Sequence, residues 1–433
     1  MLTEHPPPHP TPHAIGPTRV LCVLDKHPLP ADNGSRQRLW NLVRGIAARA
    51  NGTAVVLGGD TEPDRVDALA KELPGWRVVA LPRDPARRPI GQAFRDVGTA
   101  RLPVHLARRD LSGWRAAIAR ELTAGYDAVF VSHPRPFVLV EELTDLPIIA
   151  TIDDLEHLKP ARGRPAGQRR ARDTVIDAAD LRAWPRLYTR ICQRAAVVLV
   201  CSPADRDALP GGRVMVVPNG ADIPARLPRR VRHEHPTVLF HGQMTDPSNV
   251  DGAVFLTEQV IDEIRRRVPD ARVRIVGRAG PEVIALRERH DAVDIIGYVD
   301  DMRPELGRAD VAIVPLRIGS GTRLSILEAF AHGLPVVTTS VGLDGIDATP
   351  GRHALVADDA AGLAAAATAV LRDVSLQDAL RAEGRRLVKE RYDWAIIRHC
   401  VGEVVDGVTD RARHERTLTG TTTTRGRTRR APA

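Results

Sequence analysis

The sequence predicts an α/β protein built from two Rossmann-like, doubly wound parallel-sheet domains facing each other across a cleft. Two observations carry that expectation. Short runs rich in Val, Ile and Leu alternate with longer helix-compatible stretches along most of the 433 residues, as in strands buried on both faces of a parallel sheet. One Pro- and Arg-rich segment without apolar periodicity, Ile223–Pro236, then splits the runs into two series.

The first series comprises Arg19–Asp25, Thr53–Gly58, Arg77–Leu81, Asp127–Ser132, Pro147–Ile152, Ala196–Ser202 and Arg213–Val217. The second comprises Thr237–Gly242, Arg272–Gly277, Val293–Gly297, Asp310–Pro315, Pro335–Thr339 and His353–Val356. Between them, Gln37–Ala50 repeats Leu39, Leu42 and Ile46 at helical spacing, and Ser248–Arg267 sets Val254, Ile261 and Ile264 broadly on one face. The expected organisation is a disordered tail over 1–17, an N-terminal domain over 18–222 and a linker over 223–236. A C-terminal domain over 237–390, a C-terminal helix over 391–410 and a disordered basic tail over 411–433 complete it.

Composition excludes several classes. With 43% hydrophobic and 27% charged residues the chain is not disordered throughout, and no apolar run approaches the ~20 residues that cross a bilayer. Cys22, Cys192, Cys201 and Cys400 lie far apart, a pattern of neither a zinc site nor a disulfide framework. Met1–Pro17 has no apolar segment of the signal-peptide kind, so a cytoplasmic setting is expected. The net charge of +8 would suggest nucleic acid, but Arg411–Ala433 holds seven arginines against one acid and accounts for +6 of it. No nucleic-acid partner is expected; peripheral contact with the inner face of a membrane stays open.

The chemistry concentrates at strand ends, where open α/β sheets bind ligands. After the strand ending at Pro315, a loop of Arg317, Ile318, Gly319, Ser320 and Gly321 leads to Thr322, where a helix running to His332 is expected to open. Glycines let a ligand approach the backbone, and a helix N-terminus offers N–H groups to a phosphate. Arg323 or Arg317 would add charge. An ordinary strand–helix turn with solvated arginines is the alternative. Glu328, inside the apolar run SILEAFA, is costly there unless paired or bound to hydroxyls. A sugar diol would satisfy it, as would an arginine from a neighbouring helix.

This segment resembles the C-terminal signature of the GT-B glycosyltransferases of family 4 (glycosyl transferases group 1), which transfer sugars from nucleotide-sugar donors. Glu328 matches the second glutamate of their Glu-x7-Glu motif, which in the family binds the ribose. It opens the E-A-x-A-x-G-x-P-V-V stretch that runs to Val337. Ser320 stands where the first glutamate, a donor-sugar contact, is expected; the chain resembles a variant with G-x-G-T-[RK] at this place. Pro218, Asn219, Gly220 and Asp222 match P-N-G-x-D. Tyr298 and Val299 fall in the G-x-V-x-D stretch that lines the base pocket, and Glu390–Trp394 (ERYDW) resembles the motif before a helix that returns to the N-terminal domain. A second departure is Gln243, which replaces the family's diphosphate-binding arginine, with no lysine following in place. The variant pattern G-x-M…P-x-N is present at Gly242, Met244, Pro247 and Asn249.

The resemblance implies Gly34 facing the diphosphate and acceptor, and His133 near the donor sugar. A plain capped βα turn and a solvent-facing histidine are the alternatives. Asp153 and Asp154 would orient an acceptor hydroxyl or cap the next helix, and we lean to capping. The implied site is His133, Ser320 and Arg323 as catalytic residues, with Gly34, Gln243, Tyr298, Val299, Gly319, Gly321, Thr322 and Glu328 holding the donor. The implied reaction retains anomeric configuration, with the departing diphosphate helping to deprotonate the acceptor hydroxyl. It uses a nucleotide sugar as co-substrate, with no cofactor and no metal. Polysaccharide, glycolipid and natural-product biosynthesis all fit. Rival expectations are a non-catalytic partner of another transferase and a nucleotide-sugar 2-epimerase. A dinucleotide oxidoreductase is disfavoured because neither domain's first-strand loop carries G-x-G-x-x-G.

Overall fold

The computed structural model describes residues 17–58, 63–81, 86–88, 96–97, 99, 101–156, 171–227, 235–319 and 321–418, the side chains of 171–177 excepted. The first strand series forms β1 (Arg19–Leu24), β2 (Asn51–Leu57), β3 (Trp76–Leu81), β4 (Ala128–Val131), β5 (Ile148–Ile152), β6 (Val197–Val200) and β7 (Val214–Val216). They assemble as a seven-stranded sheet in the order β3-β2-β1-β4-β5-β6-β7. Every pair is parallel; Cys22, for instance, lies opposite both Ala54 and Phe130. The second series forms β8 (Thr237–His241), β9 (Arg272–Val276), β10 (Val293–Gly297), β11 (Val311–Val314), β12 (Val336–Thr338) and β13 (Leu355–Val356). Their order is β10-β9-β8-β11-β12-β13, again parallel, with an irregularity between Ile295 and Gly297. Both sheets reverse winding direction, beside β1/β4 and beside β8/β11, where such sheets open a crevice for ligands.

The continuous apolar runs are explained by two-sided burial. Leu21 and Val23 of β1 pack with Val129, Phe137 and Trp184 on one face of the first sheet. Val20, Cys22 and Leu24 pack on the other, with Leu39, Leu42, Val43 and Ile46 of helix α1 (Gly34–Ala47). Each such side chain contributes about 1.5–3 kcal/mol on burial. Helix α1 begins three residues before the expected Gln37, because the Asn33 side chain accepts the Arg36 N–H at 3.1 Å and caps it. The expected Ser248–Arg267 helix is Pro247–Phe255, a π turn over Leu256–Val260, and Ile261–Arg265.

The C-terminal helix is Trp394–Leu418, longer than the expected 391–410. It lies on α1 and supplies Trp394, Ile397, Val401, Val405 and Val408 to the core of the N-terminal domain. The ERYDW segment is pinned to P-N-G-x-D: Ala221 N–H donates to Tyr392 O (2.8 Å) and Trp394 N–H to Ala221 O (3.2 Å). The basic tail expected from residue 411 is therefore corrected over 411–418. Those residues are helical because Val405 and Val408 anchor the preceding turns and Arg413 reaches Asp127 Oδ2 (3.3 Å) and Thr18 Oγ1 (3.2 Å). The expectations for 1–16 and 419–433, and the linker over 228–234, lie outside the described residues. At the start of the linker, Pro224 O accepts a hydrogen bond from Arg385 Nη2 at 2.6 Å. No helix among the described residues is long and apolar enough to cross a membrane.

Candidate active site

The C-terminal ends of the two sheets enclose two adjoining cavities. The larger, about 700 Å³, is bounded by the β1–α1 loop and first turn of α1 (Lys26, Asp32–Gln37) and by the ends of β8–β10 with Glu328. The smaller, about 320 Å³, lies between Arg38, Asp153, Asp154 and Asn219 of the N-terminal domain and Gly321–Ser325 of the C-terminal domain. Gly34, Ser35, His241, Gly242 and Gln243 border both.

Glu328 projects from the Leu324–Ala331 helix into the larger cavity. Its Oε2 lies 3.0 Å from His241 Nε2 and its Oε1 accepts from Gln37 Nε2 at 3.3 Å, so one carboxylate ties β8 to α1 across the cleft. Burial pushes its pKa up. The hydrogen bond and charge of His241 and the hydrogen bond from Gln37 outweigh that, and hold it below the usual carboxylate value. The polar group expected to need a partner thus has two, while its edge still faces the cavity.

Tyr298 is 48% exposed beside Val299, and the Arg278 guanidinium stacks on its ring at 5.3 Å. Gly34 and the C-terminal domain meet closely: a Cβ at residue 34 would sit 2.6 Å from Leu324 Cδ1. Gly319 and Gly321 take positive φ (128° and 80°), and Gly321 lines the smaller cavity. Thr322 does not open the helix, which starts at Leu324 after Arg323. Its hydroxyl instead reaches Cys201 O and its carbonyl accepts from Asn219 Nδ2, each at 3.4 Å. Arg323 is extended (φ −81°, ψ 105°) and stands just before the helix. The Arg323 guanidinium folds over Gly319, its Cζ 3.1 Å from where a Cβ would stand there. Gln243 carries no charge to the cleft, and its amide donates to Thr245 Oγ1 at 3.1 Å.

Three further expectations change. His133 lines neither cavity; it sits after β4 beside Asp25 and Arg135, whose Nε–Oδ1 pair is 2.6 Å long. Burial raises the Asp25 pKa, but His133 and Arg135 bring it below its usual value. Arg317, a candidate phosphate contact, is held by Asp251 (2.6 and 3.0 Å) over the Phe255 ring. Asp153 caps no described helix: its Oδ1 accepts from Arg38 Nε (2.8 Å) and Thr151 Oγ1 (3.2 Å). Ser320 lies outside the described residues.

Sequence reasoning missed Lys26, Gln37, Arg38, His241 and Arg278 as cleft residues. The position of Gln37 and Arg38 in the first turns of the helix after β1 was a usable signal, as was His241 at a strand end. Lys26 donates to Ser35 Oγ at 2.6 Å and makes no ion pair among the described residues. No group of three or more His, Cys, Asp or Glu side chains among the described residues is placed to hold a metal ion.

Two parallel-sheet domains with ligand-binding edges opposed across a cleft define a GT-B fold. Comparison with solved structures agrees. Sucrose-phosphate synthase from Thermosynechococcus elongatus superposes with a TM-score of 0.65 at 18% identity, covering 93% of this chain and 100% of that one. Anabaena HepE in complex with UDP-glucose gives 0.62 at 16%, covering 90% and 99%. Residues 235–373 match the family model described as "Glycosyl transferases group 1". The glycogen synthase of Mycobacterium tuberculosis is 25% identical over 414 residues, 89% of this chain and 94% of that protein. The chain is thus similar to the group 1 glycosyltransferases over residues 235–373, and its relatives are glycosyltransferases.

Proposed function

We propose that this glycosyltransferase moves a sugar from a nucleotide-diphosphate donor to an acceptor hydroxyl, with retention at the anomeric carbon. Glu328 carries the reading: an ionised carboxylate, oriented by His241 and reached by Gln37, beside an exposed aromatic ring in a cleft large enough for a nucleotide. A carboxylate accepts two hydroxyls at once, so the ribose diol takes the place of the Gln37 amide. The base lies by Tyr298 and Val299. The diphosphate runs toward Gly319–Arg323, with Lys26 as a further cation where charge grows on the leaving group. The solved complex of HepE with UDP-glucose supports a nucleotide sugar as donor.

In this reading the departing diphosphate accepts the proton of the attacking hydroxyl, so no carboxylate base, cofactor or bound metal is assigned a step. The acceptor enters from the N-terminal domain. The work is done in the cytoplasm, in polysaccharide, glycolipid or natural-product synthesis.

The test is a binding and hydrolysis screen with UDP-, GDP-, ADP- and dTDP-sugars on the wild type and Glu328→Ala. Saturable binding of one nucleotide, lost in the variant, with slow release of free sugar, is the expected result. Absence of nucleotide binding in both proteins overturns the donor site.

A further inference from the structure

Arginine is concentrated at one place outside the cleft. Residues 86–110 hold six arginines against two aspartates, a net of +4, whereas the whole chain outside 411–433 carries only +2. The fold doubles part of this stretch back on itself. Arg87 lies opposite Arg109 in an antiparallel bridge. Hydrogen bonds from Arg88 N–H to Arg108 O (2.7 Å) and from Asp110 N–H to Ala86 O (3.0 Å) flank it. That pattern makes 87 and 109 a non-hydrogen-bonded pair, the kind in which facing side chains come closest. Like charges set directly opposite destabilise such a pairing. Arg88 is matched by Asp96 Oδ2 at 3.2 Å. Arg87 is exposed, and its side chain makes no hydrogen bond or ion pair among the described residues.

The bridge is anchored beside the cleft. Just before it, Val104 N–H donates to Asp180 Oδ1 (2.7 Å), Leu106 and Ala107 are buried, and the His105 ring lies 5.5 Å from that of Trp184. Arg109 is within electrostatic reach of His105, and His105 of His133 and Arg135. Arg135 pairs with Asp25 at the end of β1 (2.6 Å), and the next residue, Lys26, walls the larger cavity. The bridge arginines line neither cavity, so they stand next to the donor site and not in it. Two guanidinium groups at this spacing match the oxygens of one phosphate or carboxylate. Asp96 and Asp110 border the bridge, which limits the cationic surface to a single acidic group and disfavours a polyanion or a lipid surface.

We propose that Arg87 and Arg109 grip an acidic group, phosphate or carboxylate, carried by the acceptor away from its reactive hydroxyl. This rests on the transferase reading above and adds the chemical class of the acceptor: acidic acceptors are taken, and their neutral counterparts are poor. The body of the acceptor crosses His133 and the end of β1 into the cleft, which leaves the two cavities to the nucleotide sugar.

The experiment is calorimetric titration of the full chain in buffer free of phosphate and sulfate. Whichever of UDP, GDP, ADP and dTDP binds is kept saturating, so that the donor loop is filled. The probes are glucose 6-phosphate, glucuronate, dihexanoyl phosphatidate and, as the neutral control, glucose; the third separates a lipid-borne phosphate from a sugar-borne one. Wild type is compared with Arg87→Gln and Arg109→Gln, and with Arg266→Gln on the outer face of the C-terminal domain, each first checked for an unaltered melt. Arg87→Gln removes no contact among the described residues and keeps the test valid if Arg109→Gln fails to fold. The expected result is that at least one acid binds more tightly than glucose and loses about tenfold in affinity in both bridge variants, the worth of a charge-assisted hydrogen bond. Arg266→Gln and the nucleoside diphosphate should stay within twofold. Equal binding of glucose, an equal loss in Arg266→Gln, or no binding of any acid overturns the proposal. So does Arg87-dependent capture of phosphatidylglycerol vesicles without binding of the small acids. An acid that binds through Arg87 while no nucleotide binds wild type overturns the donor reading, and the acceptor role with it.

Discussion

Replacing Trp394 by alanine removes a side chain that lies near the end of the chain yet sits in the core of the first domain. The indole is 1% exposed and packs in one apolar layer with Leu39, Leu42 and Ile46 of α1. Its backbone hydrogen bond to Ala221 is made by N–H and survives the change. What is lost is ring burial plus the cost of the void, about 3–5 kcal/mol for a buried Trp or Phe truncated to alanine. The loss falls on the N-terminal domain, because the ring's neighbours belong to α1 and β1, not to the second sheet. Hydrogen exchange followed by mass spectrometry separates the two, where a whole-protein melt of a two-domain chain would blur them. Protection of the α1 amides should fall by roughly 10²- to 10⁴-fold, since about 1.4 kcal/mol is a factor of ten. The amides of Leu324–Ala331 should keep theirs. An equal loss in both domains, or a loss in α1 below about tenfold, would refute the argument that the C-terminal helix completes the first core.

Gly220→Ala places a Cβ 2.7 Å from Ile397 Cδ1, 2.8 Å from Tyr392 O and 2.9 Å from Trp394 Cδ2. Overpacking of that kind costs about 1–3 kcal/mol, read as a lower melting temperature. The depressed pKa of Glu328 contributes stability that is present above its unfolded value of about 4.3 and lost as pH falls through the folded value. Glu328→Gln should therefore flatten the acid limb of stability against pH between pH 5 and the onset of acid unfolding, and an unchanged limb would show that the His241 contact does not hold the charge. Tyr298→Ala should weaken nucleotide binding by about 1–3 kcal/mol in titration calorimetry while leaving the melt unchanged, because the ring is half exposed. Arg413→Ala breaks a partly exposed pair with Asp127 and should change stability by no more than about 1 kcal/mol in denaturant titration.

The strands were legible in the sequence because two-sided burial imprints a local signature: an unbroken run such as AVVLVCS needs no knowledge of its neighbours to be read. The ends of those runs also located the Gly319–Arg323 loop and Glu328, since a carboxylate inside SILEAFA is anomalous on any helix. Where the chain must meet itself from a distance, that locality fails. Arg38 and Asp153 are 115 residues apart, and nothing near either announces the other. Their pairing exists because the sheet order seats β5 one strand beyond β4, bringing its end beside the first turns of α1. His133 was placed by position along a motif, but the fold sets it near Asp25, and it lines neither cavity. Arg411–Leu418 looked compositionally like a tail, and packing of the preceding turns on α1 makes it helix. Residue type and spacing settled which segments would be buried and which group would need a partner. Which partner each polar group received was settled by tertiary structure, because ion pairs and hydrogen bonds form only where the sheets and helices bring their atoms within reach.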